Sequence, residues 1–235
     1  MSLGQNADLE SLSSLDDPVR RRLYGVVSGR AEPVSRDEAA RAAGIDRALA
    51  AYHLDKLVDS GLLTASYQRP GGRTGPGAGR PAKLYSRSGR EFAATVPPRE
   101  YELAARLLVR AVESDASGHS RAALRAAAYQ LGREIGGQVT SRRSGHGDAG
   151  AGAGLRDLET VLAGHGYQPE CRDDDIMRLR NCPFHQLAAA HKDTVCAMNL
   201  ALIEGVTAGL NASALRPLLD PQPGHCCVII EAEDS

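Results

Sequence analysis

The stretch Asp46-Arg47-Ala48-Leu49-Ala50-Ala51-Tyr52-His53-Leu54-Asp55-Lys56-Leu57-Val58-Asp59-Ser60-Gly61-Leu62-Leu63 decides how this chain is read. Ala50, Leu54, Leu57 and Val58 recur at i, i+4, i+7 and i+8, the apolar stripe of a helix that buries one side. Asp46 is a strong N-cap and Gly61 a stop, so the spacing predicts a helix from Asp46 to Ser60. Its opposite face carries Arg47, Ala48, Ala51, Tyr52 and Lys56. His53 reads as a packing residue rather than a reader of bases.

The flanking segments supply the rest of a small domain. Asp17-Pro18 is an N-cap followed by proline at the first helical position, which opens a helix to about Val27. Ser35-Arg36-Asp37-Glu38 fits a capping box and opens a second helix through Ala43, packed through Ala39, Ala42 and Ala43 and ended by Gly44. Leu62 to Tyr67 and Ala82 to Tyr85 read as two strands joined by a Pro/Gly/Arg loop over residues 69–81. Two short helices, a third with a short-side-chain face and a hairpin with a basic loop form a winged helix-turn-helix. In that arrangement the third helix lies in the major groove of double-stranded DNA and reads base edges. Arg47, Ala48, Ala51, Tyr52 and Lys56 are the expected groove-facing residues. Arg69, Arg73, Arg80 and Lys83 are the expected phosphate contacts of the hairpin, because glycine lets the backbone approach and arginine offers forked donors. Tyr52 to Leu57 with Gly61-Leu62-Leu63 resembles the recognition-helix ending of ArsR-like winged-helix regulators, a resemblance that covers residues 18 to 90.

Charge agrees with that division of labour. The net charge of the 235-residue chain is −1. Between Leu62 and Arg90, however, six Arg and Lys meet no acidic residue, while from Leu155 to the end twelve Asp and Glu face six Arg and Lys. One end suits a polyanion and the other does not. The first residues lack a basic segment followed by an apolar one, and no run approaches the roughly 18 apolar residues of a membrane span. The expected location is therefore the cytoplasm. With no Trp and two Phe, the cores must be built from aliphatic side chains.

All five cysteines lie beyond residue 170. In a reducing compartment such thiols are expected free, metal-bound or redox-active rather than structurally paired. Cys182, His185, Cys196, Cys226 and Cys227 are the candidate metal ligands, since thiolate and imidazole bind zinc and thiolates hold iron-sulfur clusters. No C-x-x-C pair is present, so tertiary structure must bring them together. Alternatively Cys196, beside Leu200 and Ile203 on a helix, is a small buried residue. Cys182 and His185 could also form a thiolate-imidazole pair, but no oxyanion-stabilising loop or orienting third residue accompanies them, and the chain is not read as an enzyme.

The Gly79-Arg80-Pro81-Ala82-Lys83 wing, a helical connector and the Cys182-Pro183 motif with later cysteines resemble the SufR family of iron-sulfur-sensing repressors. The resemblance implies a cluster held by Cys182, Cys196 and Cys226 or Cys227, whose loss changes DNA affinity. The cysteine spacing, the Cys226-Cys227 doublet and His185 depart from the family pattern, which leaves zinc as the alternative cofactor. The C-terminal segment is also similar to the ligand-binding module of 4-vinyl reductase-type proteins, which would make the protein a sensor of a hydrophobic small molecule.

The expected fold class is α+β. Residues 1–15 are expected as a disordered tail, 16–96 as the winged helix and 97–140 as a helical connector and dimerisation segment. Residues 141–154 are expected as a flexible linker and 155–235 as a small α/β sensor domain with clustered cysteines. Leu103, Leu107 and Leu108 on a helix from Arg99 to Val112 are the expected homodimer face, because one winged helix reads only a half-site.

Overall fold

A computed structural model describes residues 3–68, 81–95, 99–144, 154–173, 176–222 and 224–232. The chain divides into two compact units, Met1–Arg99 and Glu100–Ser235.

In the first unit, helices α1 (Leu3–Ser13), α2 (Pro18–Ser28), α3 (Arg36–Ala43) and α4 (Arg47–Asp59) accompany strands β1 (Val34–Ser35), β2 (Leu63–Gln68) and β3 (Ala82–Arg87). The caps are those that the residue types favour. The Asp17 carboxylate accepts from the Val19 and Arg20 amides, and Ser35 and Glu38 close a full capping box. Gly44 takes a left-handed φ of 63° that ends α3. The antiparallel sheet has the order β1-β3-β2, so the two-residue β1, which the sequence reading missed, pairs with the second strand of the hairpin. Leu23, Val27, Ala39, Ala43, Leu54, Leu57 and Tyr85 form one core. Ala40 is buried where Ala42 was expected, and Ala42 is exposed.

The expected disordered tail is corrected, since residues 3–13 are helical. Leu15 packs against the core, and the Asp8 carboxylate lies 3.6 Å from Arg90 and accepts the Ala93 amide. These contacts lie far along the chain, out of reach of a local reading.

The second unit contains α5 (Tyr101–Ser114), α6 (His119–Ser144), α7 (Leu155–Gly164), α8 (His185–Ala190) and α9 (Lys192–Gly209). Its antiparallel sheet has the order β4-β5-β7-β6, from β4 (Pro169–Asp173), β5 (Ile176–Leu179), β6 (Leu215–Leu219) and β7 (Val228–Ala232). Leu158, Leu162, Met177, Leu179, Ile203, Val228 and Ile230 fill its core, and Ile135 and Val139 of α6 pack against them. The connector is therefore part of the cysteine-bearing unit rather than a separate segment. α6 continues to Ser144, which removes residues 141–144 from the expected linker, and residues 145–153 lie outside the described residues.

α6 and α9 meet backbone to backbone. A Cβ on Gly132 would stand 2.1 Å from the Leu202 carbonyl oxygen, and one on Gly136 2.4 Å from that of Val206. Reciprocally, Cβ atoms on Gly205 and Gly209 would strike the Tyr129 and Arg133 carbonyl oxygens at 2.1 and 2.4 Å. Two glycines four residues apart on each helix thus form a single seam, because only a residue without a side chain permits such an approach.

Candidate functional site

The Asp46 carboxylate caps α4, accepting the Ala48 amide at 2.7 Å and the Leu49 amide at 3.3 Å. Ala50, Leu54 and Leu57 are fully buried, which holds the other side of the helix outward. That side presents Arg47, Ala48, Tyr52 and Lys56 exposed and Ala51 half-buried. Leu49, 42% exposed, joins them. The sequence reading omitted it, although its place one residue before the buried Ala50 puts it off the apolar stripe, and an apolar side chain there suits a thymine methyl. Arg47 pairs with Asp37 at 2.6 Å and Lys56 with Asp59 at 3.5 Å, all four side chains being mostly exposed. Such pairs contribute about 0–1 kcal/mol and exchange readily for phosphate. His53 is buried, with its ring edge-on to Tyr52 and no hydrogen-bond partner for Nδ1 among the described residues.

Lys83, expected as a phosphate contact, has a partner within the domain. Its side chain is only 16% exposed, and Nζ donates to Asp55 at 2.6 Å. The Tyr85 hydroxyl donates to the same carboxylate at 2.8 Å, and Arg36 Nε donates to that hydroxyl at 3.3 Å. Burial pushes the Asp55 carboxyl up, but the hydrogen bonds from Lys83 and Tyr85 outweigh it and hold it below its ordinary value. The same bond, donated to Asp55, holds Lys83 above the usual lysine value against desolvation. Lys83 therefore ties β3 to α4. Arg69, Arg73 and Arg80 lie outside the described residues.

In the second unit, the tertiary structure brings the expected ligands together. Cys182 lies between β5 and α8, His185 begins α8, Cys196 sits in α9, and Cys226 and Cys227 lead into β7. The Cys226 amide donates to the Leu179 carbonyl at 2.7 Å, which draws this lead segment alongside the end of β5. All five residues line one open cavity of about 390 Å³, with Lys192 and His225 also on its wall. Cys171 is exposed on β4 and takes no part in that wall.

The thiols, however, are not all equivalent. Cys196 and Cys227 are bonded to each other as a disulfide, with Cα atoms 6.4 Å apart. Cys182 hydrogen-bonds to Cys226, and this bond, against the opposing effect of burial, pushes the Cys226 thiol down to about 7. Asn199 Nδ2 donates to Cys226 Sγ at 3.2 Å, and the Tyr167 hydroxyl donates to Asn199 Oδ1. Cys226, Asn199 and Tyr167 are all buried. Burial foremost, then the neighbouring sulfurs of Cys226 and Cys182, push the Tyr167 hydroxyl well above the ordinary tyrosine value.

These residues do not fit an iron-sulfur cluster or zinc in this state. A sulfur bonded to sulfur is not the thiolate that either group requires, and no three His, Cys, Asp or Glu among the described residues are arranged to hold a metal ion. Cys196 and Cys227, expected as ligands, are joined to each other in this structure.

A family model for a helix-turn-helix domain matches residues 15–64, which run from the turn before α2 through α4 to the start of β2. The chain carries a helix-turn-helix DNA-binding domain. No curated protein and no solved structure matches it. The helix-turn-helix domain points to a DNA-binding regulator of transcription rather than an enzyme. Among the described residues no helix is long and apolar enough to cross a membrane.

Outside the helix-turn-helix, the sequence reading missed Glu113. Its carboxylate accepts from Thr194 at 2.9 Å and lies 2.7 Å from His191 Nδ1, fastening the end of α5 to the start of α9. Hydrogen bonds first from Thr194 and then from His191 hold the Glu113 carboxyl below its ordinary value. No local pattern marks a pair separated by about eighty residues.

Proposed function

We propose that this chain is a homodimeric transcriptional repressor whose affinity for operator DNA follows the oxidation state of the cysteine centre. The observation that carries the DNA-binding part is the capped, outward face of α4, with Arg47, Ala48, Tyr52 and Lys56 free of the core. Arg69, Arg73 and Arg80, read from the sequence between β2 and β3, are the proposed phosphate contacts. For dimerisation, α5 leaves Leu103, Leu107 and Leu108 at 53, 58 and 68% exposure. A run of exposed leucines on one helix marks an association surface, and two copies would read the two halves of a two-fold operator.

The redox reading is supported by the Cys196–Cys227 bond beside a hydrogen-bonded thiol pair. Cys196 stands two residues after Thr194, which with His191 seats Glu113 of α5. Breaking the disulfide would loosen the first turns of α9 and with them the seat of the dimer helix. In the test, the full chain selects its binding sequence from random duplex DNA, and affinity is then measured with and without reductant for wild type and Cys196→Ser. A change of tenfold or more on reduction, absent in Cys196→Ser, is the expected result. Equal affinity in both states removes the redox reading, and stoichiometric iron or zinc in anaerobically purified protein replaces it with the metal one.

A further inference from the structure

We propose that Cys182 and Cys226 are a thiol-disulfide exchange site for small anionic disulfides, which convert the pair into a second disulfide beside Cys196–Cys227. This rests on the redox reading of the centre and names what the centre reacts with. Four observations carry it. Cys182 and Cys226 hydrogen-bond to each other on the wall of one cavity, so the two sulfurs are neighbours. On that wall Cys182 is half-buried and Cys226 only 2% exposed, which makes Cys182 the more accessible, attacking sulfur and Cys226 the resolving one. The cavity is open and holds about 390 Å³, room for a small molecule to reach Cys182. Its described lining includes Lys192, His185 and His225 and no Asp or Glu, which favours a carboxylate-bearing reactant over a neutral or cationic one.

The chemistry balances without a further cofactor. Cys182 Sγ attacks one sulfur of the incoming disulfide, its proton passes to the Cys226 thiolate, and the first small thiolate leaves. That thiolate takes the proton back from Cys226, whose sulfur then attacks Cys182 Sγ and expels the second thiolate. Two electrons move from the cysteine pair to the external disulfide, which departs as one thiol and one thiolate. Asn199, donating to Cys226 Sγ, stabilises the thiolate that Cys226 presents before the first attack and regains for the second. The lowered Cys226 thiol agrees with this arrangement.

The experiment uses the full chain carrying Cys171→Ser, which removes the exposed thiol of β4, with oxidised glutathione as the probe and peptide mapping by mass spectrometry as the readout. The expected product is a Cys182–Cys226 disulfide with no adduct retained. With Cys226→Ser added, one glutathionyl group should remain on Cys182, and with Cys182→Ser no adduct should form at Cys226. Lys192→Gln should slow oxidised glutathione about fivefold, the loss of one surface charge pair, and leave neutral hydroxyethyl disulfide unchanged. No Cys182–Cys226 bond in the parent chain, or no adduct on Cys182 when Cys226 is serine, overturns the inference. If the bond and adduct form while DNA affinity ignores both disulfides, the redox reading of function fails and the exchange site stands. If neither forms while affinity still follows Cys196–Cys227, the exchange site fails alone.

Discussion

The α6–α9 seam makes a prediction whose size follows from distances. Replacing Gly132 by alanine puts a methyl carbon 2.1 Å from the Leu202 carbonyl oxygen, about 1 Å nearer than real methyl carbons approach, and 2.8 Å from the Val206 nitrogen. Both neighbours are backbone of a packed helix, so neither can swing aside, and the helices must part by about 1 Å. A gap of that size forfeits roughly a quarter to a half of each dispersion contact along the seam. Overpacking of this kind costs about 1–3 kcal/mol, and the rigidity of both partners puts Gly132→Ala at the upper end, about 3 kcal/mol destabilising. Gly137, five residues along the same helix, is the control, because a Cβ there meets nothing within 4 Å. Gly137→Ala should stabilise by about 0.5–1 kcal/mol through the lost freedom of glycine in the unfolded chain. Scanning calorimetry of the full chain separates the two variants. Gly132→Ala lowers the melting temperature of the second unit by about 10 °C, and Gly137→Ala raises it by a few degrees. Equal shifts, or a Gly132→Ala protein that melts at or above wild type, would refute the backbone-to-backbone seam.

The other predictions concern the site and its supports. Arg47→Ala and Tyr52→Ala each weaken binding to the selected DNA by about 1–3 kcal/mol, whereas Lys83→Met leaves the salt dependence of binding unchanged and lowers the stability of the first unit. Competitive binding at two salt concentrations, together with urea unfolding, checks both. Because the Asp55 carboxyl is held below its ordinary value of 3.8, its contribution to stability is full above that value and is lost as pH falls through the lowered one. Asp55→Asn should flatten this part of the acid unfolding curve. Lys83, raised above 10.5, keeps its contribution up to that pH and loses it beyond, which alkaline unfolding of Lys83→Met checks. Reducing Cys196–Cys227, which closes 31 residues of chain, lowers the stability of the second unit by about 3–4 kcal/mol on chain-entropy grounds. Calorimetry with and without reductant reads this loss. Leu107→Asp shifts sedimentation toward the monomer if α5 is the dimer face.

The sequence by itself determined those features whose causes lie within a few residues of one another. Asp17-Pro18, the Ser35–Glu38 box, Gly44 and the Asp46 cap place three helices because a cap satisfies amides of its own first turn. The buried stripe of α4 was legible in the same way, and it fixed which residues face outward without knowledge of what they pack against. Tertiary structure alone decided what depends on partners distant in the chain. Lys83 reads as a free cation beside glycines and arginines until Asp55 and Tyr85 stand next to it. Gly132, Gly136, Gly205 and Gly209 read as four weak helix residues until two helices are laid against each other. Cys182, Cys196, Cys226 and Cys227 could be gathered from the sequence as candidates for one centre. Which sulfur bonds to which depends on the β5–β7 register and the path of α9, and that relation among separated segments is absent from the spacing of cysteines along the chain.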